Sequence, residues 1–282
     1  FILNKKNKDH TFIVNIERFP IVSRGNIALI IVMHNITESK QNEKMFADFV
    51  ANASHEIRTP LTSLIGFIDT LQNAAKDDPK SREKFLAIMK DQADRMSCLI
   101  KELLSLSDIE KNINNEPTTL ISLYKVIKAV NNQLNWKIEE KNMNLIIDLE
   151  DNLPLIMGDY SQLVQVFTNL ILNAIKYSER DTNIIITSEL LKRIPDDVMI
   201  FNCEEVLAIN VIDQGKGIAA EHIDRLTERF YRVDNARSAK IGGYGLGLSI
   251  VKNIMLRHKG FLKITSELGK GSCFTVYFPI RN

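Results

Sequence analysis

The sequence predicts an α+β chain: a helical hairpin followed by an α/β sandwich, with a short β segment ahead of both. Three observations predict it. Apolar residues recur every three or four positions between about Glu38 and Lys111, the helical period. A polar tract, Asn-Ile-Asn-Asn-Glu-Pro-Thr at 112–118, ends that pattern. Beyond it, strand-length apolar runs alternate with helical ones.

In the N-terminal segment, Thr11-Phe12-Ile13-Val14-Asn15-Ile16 alternates as a strand does, and Ile27–Met33 is a continuous apolar run of strand length. Gly25 and Asn26 supply a turn between them. The first helical stripe is Phe46, Phe49, Val50, Ala53, Ile57, Leu61, Leu64, Ile68 and Leu71. Asp77-Asp78-Pro79 breaks it. A second stripe runs through Phe85, Ile88, Met89, Met96, Leu99, Leu103 and Leu106. A hairpin cannot bury its stripe alone, so either a second copy completes a four-helix bundle or a neighbouring domain covers it. After the linker, a helix is expected over 119–141, with strands at 145–149, 184–189, 206–212, 262–266 and 272–278. A further helix opens after Asp159, and 191–204 reads as an exposed loop.

Bulk properties exclude several classes. A formal net charge of +1 offers no basic stripe for nucleic acid. Cys98, Cys203 and Cys273 lie far apart, which argues against a disulfide framework or a zinc site and fits a reducing cytoplasm. No apolar run is long enough to cross a bilayer. The chain opens on Phe1 and reads as an excised fragment, so that absence says nothing of a longer protein.

Two groups of residues carry chemistry. The first is Ser-His-Glu-Ile-Arg-Thr-Pro-Leu-Thr at 54–62. At about 100° per residue, His55 lies opposite Ala53 and Ile57 and should face solvent. A surface histidine is ordinarily only that. Here Glu56 is adjacent, Thr59 lies one turn on, and Pro60 loosens the helix. A carboxylate that accepts one ring N–H fixes the tautomer and leaves the other nitrogen nucleophilic.

The second group lies in the C-terminal half. In Gln165–Tyr177, Asn169, Asn173, Lys176 and Tyr177 share a helix face. Asparagine offers a neutral oxygen to Mg²⁺, and lysine a point charge to phosphate. Asp213-Gln214-Gly215-Lys216-Gly217 follows a strand directly, so its carboxylate can accept an adenine amino group while glycine backbone approaches the ring. Gly242-Gly243-Tyr244-Gly245-Leu246-Gly247-Leu248 opens a helix and presents free N–H groups to phosphate. It is neither a Walker loop nor a Rossmann turn. Between the glycine elements, Glu228–Asp234 begins a stretch, 227–244, that would form a lid, with Arg232 and Arg237 placed to meet a γ-phosphate.

Phe49-Val50-Ala51-Asn52-Ala53-Ser54-His55-Glu56-Ile57-Arg58-Thr59-Pro60-Leu61-Thr62 closely resembles the phosphoacceptor box of sensor histidine kinases, most of all the phosphate-regulon type. The C-terminal elements resemble the boxes of the Bergerat ATP-binding fold, and the likeness runs from about Phe46 to Pro279. The resemblance implies a protein-histidine kinase that uses ATP and Mg²⁺, phosphorylates His55 and passes the phosphoryl group to an aspartate of a response regulator. It implies Glu56 as base, and Thr59 as the residue that positions water for phosphatase action. It implies Asn173 as the metal ligand with Asn169 in support, Lys176 on phosphate, Tyr177 along the nucleotide and Asp213 on adenine. Gly215, Gly217, Gly243, Gly245, Leu246 and Gly247 would shape the pocket, with Arg232 and Arg237 above it. His34-Asn35-Ile36-Thr37-Glu38 resembles the exit of a PAS sensor domain, with Asn35 where Asp is usual; a plain β-hairpin is the alternative.

The implied domains are a PAS remnant at 1–37, a dimerisation and phosphotransfer hairpin at 38–111, a linker at 112–118 and a catalytic domain at 119–282. The implied partners are a second copy, through the hairpin, and a response-regulator receiver domain. The implied location is the cytoplasmic part of a protein anchored in a bacterial inner membrane by segments upstream. Tyr244 (where a small hydroxyl residue is commoner), Thr227, and His258-Lys259-Gly260 depart from the family pattern without removing a proposed catalytic group. Two rival readings are an ATPase clamp of the same fold and a degenerate dimer scaffold. The clamp usually needs a glutamate base where Asn169 stands, and intact Asn173, Asp213 and glycines count against the scaffold.

Overall fold

A computed structural model describes residues 2–5, 8–20, 27–73, 76, 78–150, 152–200, 203–234 and 243–280. The expected turn at Gly25–Asn26, as well as Asp77, Gly242 and Arg237, lies outside these. The chain divides into two compact units, Phe1–Asp69 and Thr70–Asn282.

In the first unit, β1 (Ile2–Lys5), β2 (Lys8–Pro20) and β3 (Ile27–Asn35) form a three-stranded antiparallel sheet. Ile13, Ile16 and the run Leu29–Met33 are exposed. Strand β3 passes into helix α1 (Thr37–Gln72) through a built junction. The Asn35 side chain accepts from Thr37 N at 3.0 Å and from its hydroxyl at 2.6 Å, while Thr37 Oγ1 accepts from Thr11 N at 2.9 Å. An amide oxygen thus caps the helix as an aspartate would, and ties the helix start to β2. Along α1 the apolar stripe is only partly covered, with Phe49, Ala53, Ile57, Leu64 and Leu71 half-buried. Phe46, Val50, Leu61, Ile65 and Ile68 are all exposed in the single chain.

The second unit takes in the last residues of α1 and then helix α2 (Pro79–Lys111). Asp78 caps it, accepting from Lys80 N at 3.0 Å and Ser81 N at 3.3 Å, and Pro79 fills the first helical position, where a missing N–H does no harm. Leu99, Leu106 and Ile109 are its buried residues. Then come β4 (Thr119–Ile121), α3 (Leu123–Glu140), β5 (Asn144–Asp148), β6 (Ile156–Gly158) and α4 (Tyr160–Tyr177). After these follow β7 (Asn183–Leu191), β8 (Glu205–Asp213), a single turn α5 (Ala220–Ile223), α6 (Gly247–Arg257), β9 (Phe261–Glu267) and β10 (Gly271–Ile280). The main sheet has the order β5-β7-β8-β10-β9, parallel only between β5 and β7. Helices α3, α4 and α6 pack side by side against it, and α2 packs on α6. Phe167, Leu163, Leu170 and Ile184 lie fully buried between helices and sheet, each contributing about 1.5–3 kcal/mol of burial.

Two expectations need correction. The helix expected over 119–141 starts at Leu123. Residues 119–121 form β4, paired with β6 through Thr119–Gly158, Leu120–Met157 and Ile121–Ile156, because the three-residue partner strand, far off in sequence, outweighs local period. The segment 191–204 is not wholly an exposed loop. Val198 and Ile200 are buried with Val206, Ala208 and Tyr277, with Ile194 and Cys203 packed alongside. Lys263 Nζ pairs with Asp197 at 2.6 Å. The segment folds back because the second face of the sheet would otherwise leave those apolar side chains in water.

Candidate functional site

Helix α4 sets one wall of the site. Asp159 caps it, accepting from Ser161 N at 3.0 Å and Gln162 N at 3.2 Å. Its own N–H donates to His258 Nε2 at 3.0 Å, and His258 Nδ1 bonds the Ile254 carbonyl at 2.8 Å. The buried imidazole is therefore neutral with its proton on Nδ1, and burial holds its pKa below the ordinary histidine value. One face of α4 is core: Leu163, Val166, Phe167, Leu170, Ile171, Ala174 and Ile175 are buried. The other carries Asn169, Asn173 and Lys176, all half-buried, and Tyr177, exposed. The expected grouping on one helix face is what the helix displays.

Strand β8 ends at Asp213, which is almost fully buried. Its Oδ1 accepts from Gly215 N at 2.8 Å and Ser272 N at 3.2 Å. Burial nevertheless raises its carboxyl above the ordinary range, with the two N–H donors pulling the other way. Oδ1 is thus held inward by the two backbone donors, and the Ser272 hydroxyl also acts on the carboxyl. Two glycines are sterically required nearby. Gly217 has φ +69°, and a Cβ there would stand 2.0 Å from the Glu267 carbonyl oxygen. A Cβ on Gly215 would stand 2.9 Å from the Tyr177 carbonyl oxygen, which brings the strand end and the end of α4 together.

The glycine-rich turn before α6 forms the third wall. Phe230 N donates to the Gly245 carbonyl at 2.9 Å, closing the base of the segment between them. Gly245, at φ +74°, would drive a Cβ to 2.7 Å from Phe230 C and Tyr231 O. Asn169 Nδ2 approaches the Gly247 carbonyl at 3.4 Å, and a Cβ on Gly243 would lie 3.2 Å from Lys176 Nζ. Leu246 is fully buried beneath the turn. Among the described residues no side chain caps the start of α6, whose first N–H groups are of the kind that bind an anion. Arg232 is half-buried, and its Nε has no hydrogen-bond partner among the described residues. Arg225 stacks 4.2 Å over the Tyr231 ring, whose hydroxyl bonds His222 Nδ1 at 2.7 Å.

Several residues that hold this site had no motif. Ser272 supplies the second N–H to Asp213. Glu110 on α2 pairs with Arg229 and accepts from Asn253 Nδ2 at 3.0 Å. Glu102 on α2 and Lys176 on α4 act on each other through charge: burial raises the Glu102 carboxyl, with the lysine opposing, and burial lowers the Lys176 ammonium, with Glu102 opposing. Glu102 stands between Leu99 and Leu106 at helical spacing, and an acidic residue on an apolar stripe was the one available signal.

On α1, His55 is exposed and Glu56 half-exposed, as the helical spacing required. Thr59 Oγ1 donates to the His55 carbonyl at 3.2 Å. Ser54, Thr62 and Ser63 make the same backward bond, to Val50 at 2.8 Å, Arg58 at 3.0 Å and Thr59 at 3.2 Å. Pro60 has no N–H for the Glu56 carbonyl, so one backbone bond is missing just after the imidazole within the otherwise continuous α1.

A buried aspartate at a strand end, an amide-bearing helix and an uncapped helix start after glycines define an ATP-binding domain of the class described as histidine kinase-, DNA gyrase B- and HSP90-like ATPases, whose profile matches residues 158–282. The profile of the His Kinase A (phospho-acceptor) domain matches residues 47–112. The chain is 34% identical over 261 residues to the phosphate regulon sensor protein PhoR of Pseudomonas aeruginosa, which covers 93% of this chain and 56% of the relative. It is 34% identical over 250 residues to the sensor protein kinase WalK of Staphylococcus aureus, covering 89% and 57%. The fold aligns with histidine kinase ThkA, solved in complex with the response regulator TrrA, at a TM-score of 0.64 and 22% identity, over 99% of this chain and 77% of that one. The chain belongs to the sensor histidine kinases, and its likeness to PhoR supports the phosphate-regulon type. It spans little more than half the length of the curated relatives it matches.

Proposed function

We propose that this chain is the phosphotransfer and catalytic portion of an ATP-dependent protein-histidine kinase whose acceptor is its own His55. The observation that carries the proposal is the convergence of Asn169, Lys176, Asp213 and the Gly243–Gly247 turn on one site, in a chain that also presents an exposed imidazole within a phosphoacceptor segment.

In this reading Asp213 Oδ2 accepts the adenine amino N–H, and Gly215 and Gly217 let backbone lie against the ring. Tyr177 lines the nucleotide. Lys176, Arg232 and Arg237 (the last outside the described residues) meet the phosphates, with Gly243, Gly245, Leu246 and Gly247 shaping the turn around them. Asn173, supported by Asn169, would hold Mg²⁺. The donors suit it: among the described residues no group of three His, Cys, Asp or Glu could hold a metal, and a neutral amide oxygen matches an ion held mainly by phosphates and water. When bound, the ion neutralises charge on the β- and γ-phosphates.

A His55 ring nitrogen attacks the γ-phosphorus in line, a P–N bond forms, the bond to the β-phosphate oxygen breaks, and ADP leaves. Glu56 accepts the proton from the other ring nitrogen and fixes the tautomer. The rest is positioning and charge compensation. The P–N bond is then broken by a carboxylate of a response-regulator receiver domain, which becomes an acyl phosphate. Thr59 would position water for the reverse duty, removal of that phosphate. The exposed face of Phe46, Val50, Leu61, Ile65 and Ile68 supports a homodimer through α1. The proposed domains are 1–37, a PAS-like remnant whose exit is the Asn35–Thr37 cap; 38–111, dimerisation and phosphotransfer; 112–118, linker; and 119–282, catalysis. The proposed location is the cytoplasmic side of a bacterial inner membrane.

The test is incubation with γ-labelled ATP. Wild type should take up label that is labile to acid and stable to base. His55→Gln should bind ATP and take up none. Acid-labile label persisting in that variant would place the acceptor elsewhere.

A further inference from the structure

Helix α4 ends abruptly. Ser178 already has extended backbone, at φ −81° and ψ 155°, in place of the left-handed residue that commonly collects a helix's last carbonyls. A side chain from another helix does so instead. Lys141 Nζ donates to the Ile175 carbonyl and, at 3.3 Å, to the Ser178 carbonyl. Ile175 and Ser178 are both buried, where an unpaired carbonyl is costly. The lysine is fixed by its own setting. It is the C-cap of α3, and Asn142 after it is left-handed at φ 54°. Met143 N returns to the Ile138 carbonyl at 3.0 Å, and the Met143 side chain is buried. Lys176 and Tyr177 lie between the two residues whose carbonyls Lys141 binds. The Tyr177 carbonyl abuts Gly215, whose N–H donates to Asp213 Oδ1 at 2.8 Å. Beyond the helix, Asn183 N donates to Gln214 Oε1 at 2.9 Å. The last turn of α4 and the Asp213–Gly217 turn are thus braced against each other, and Lys141 fixes the helix side of that brace.

We propose that Lys141 is a positioning residue for nucleotide binding: its side chain caps the C-terminal turn of α4 and so sets Lys176 and Tyr177 against the Asp213–Gly217 turn before ATP arrives. A cation suits the negative end of a helix, and its bonds are stronger than those of a neutral donor. Without it the Ile175 and Ser178 carbonyls lose their partner and the last turn frays. ATP bound between Tyr177 and Asp213 restores the turn through its own contacts. Loss of the lysine therefore lowers the fraction of molecules ready to bind, and with it the apparent affinity, but spares the rate at saturation. Lys141 acts through α4, not on the reacting atoms. The inference rests on the site between α4 and Asp213 being the nucleotide site.

The test is the rate of γ-label uptake by the full chain as ATP concentration is raised, beside thermal unfolding without nucleotide. Lys141→Met keeps the apolar stem and removes the donors. It should raise the half-saturating ATP concentration about five- to tenfold and leave the limiting rate within about twofold of wild type. Lys141→Arg, which keeps a cationic donor for the helix end, should recover most of that affinity. Asn144→Ala, which loses the bond from its amide to Asn183 Oδ1 at 3.2 Å in the same corner, should leave both quantities unchanged. A lower limiting rate at unaltered half-saturation, in step with a lower melting temperature, would make Lys141 a stabilising residue only and overturn the inference. An unaltered Lys141→Met, or an equal effect of Asn144→Ala, would overturn it as well. If Asp213→Asn leaves half-saturation unaltered, the nucleotide site lies elsewhere, and the inference falls with that reading.

Discussion

Replacing Asp213 by Asn separates the structural and recognition duties of one buried side chain. Oδ1 is fixed inward by two backbone donors, Gly215 N at 2.8 Å and Ser272 N at 3.2 Å. An asparagine must keep its carbonyl oxygen there, because turning its NH₂ inward would set donors against donors. The NH₂ group then replaces Oδ2 and faces the adenine amino group. A hydrogen bond to a charged acceptor is worth about 1.5–3 kcal/mol, so ATP should bind about ten- to a hundredfold more weakly. Stability should hold or rise. Burial already disfavours the ionised carboxylate here, and its raised pKa means the folded state holds its proton more tightly than the unfolded one. Stability contributed by this group therefore falls as pH rises through the window between the unfolded and folded values, and asparagine removes that loss. The assay is calorimetric titration with ATP and with inosine triphosphate, beside thermal unfolding. A 6-oxo purine offers an acceptor to the new NH₂, so the variant should prefer it. Unaltered ATP affinity, or equal weakening of both nucleotides, would refute the assignment of Asp213 to the purine edge.

Other predictions are shorter. Gly217→Ala should destabilise the chain by about 2 kcal/mol or more in denaturant titration, since φ +69° disfavours a side chain and the new Cβ would stand 2.0 Å from the Glu267 carbonyl; a loss under a few tenths would mean the turn relaxes freely. His258 is held neutral by burial, with its folded pKa below the unfolded value, so its share of stability is present above about pH 6.5 and is lost as pH falls through the folded value. His258→Gln, which can still accept from Asp159 N and donate to the Ile254 carbonyl, should flatten the difference in stability between pH 7 and pH 5; an unaltered slope would assign the acid sensitivity to other groups.

Much of this molecule can be read from one dimension. The hairpin stripes and the grouping of Asn169, Asn173 and Lys176 follow from the helical period alone, because each contact is set by neighbours three or four residues away. What could not be read depends on partners distant in the chain. Strands β4 and β6 stabilise each other across 35 residues and are too short to announce themselves. Val198 and Ile200 sit in a polar, turn-like stretch, and only the sheet face beneath them makes burial worthwhile. Glu102 stands out in sequence only as an acid on an apolar stripe, and its link to Lys176 depends on a helix distant in the chain. The glycines were legible as a pattern, but which of them is obligatory depends on carbonyls, such as that of Glu267, brought in by other elements.

The central claim is that the phosphoryl group of ATP ends on the exposed imidazole of α1. Fragmentation mass spectrometry of the chain after brief reaction with Mg-ATP, with every step kept at neutral to alkaline pH, measures this directly. The account predicts a single phosphorylated peptide with the added mass on His55. Phosphate on any other residue, or release of free phosphate with no modified peptide, would contradict it.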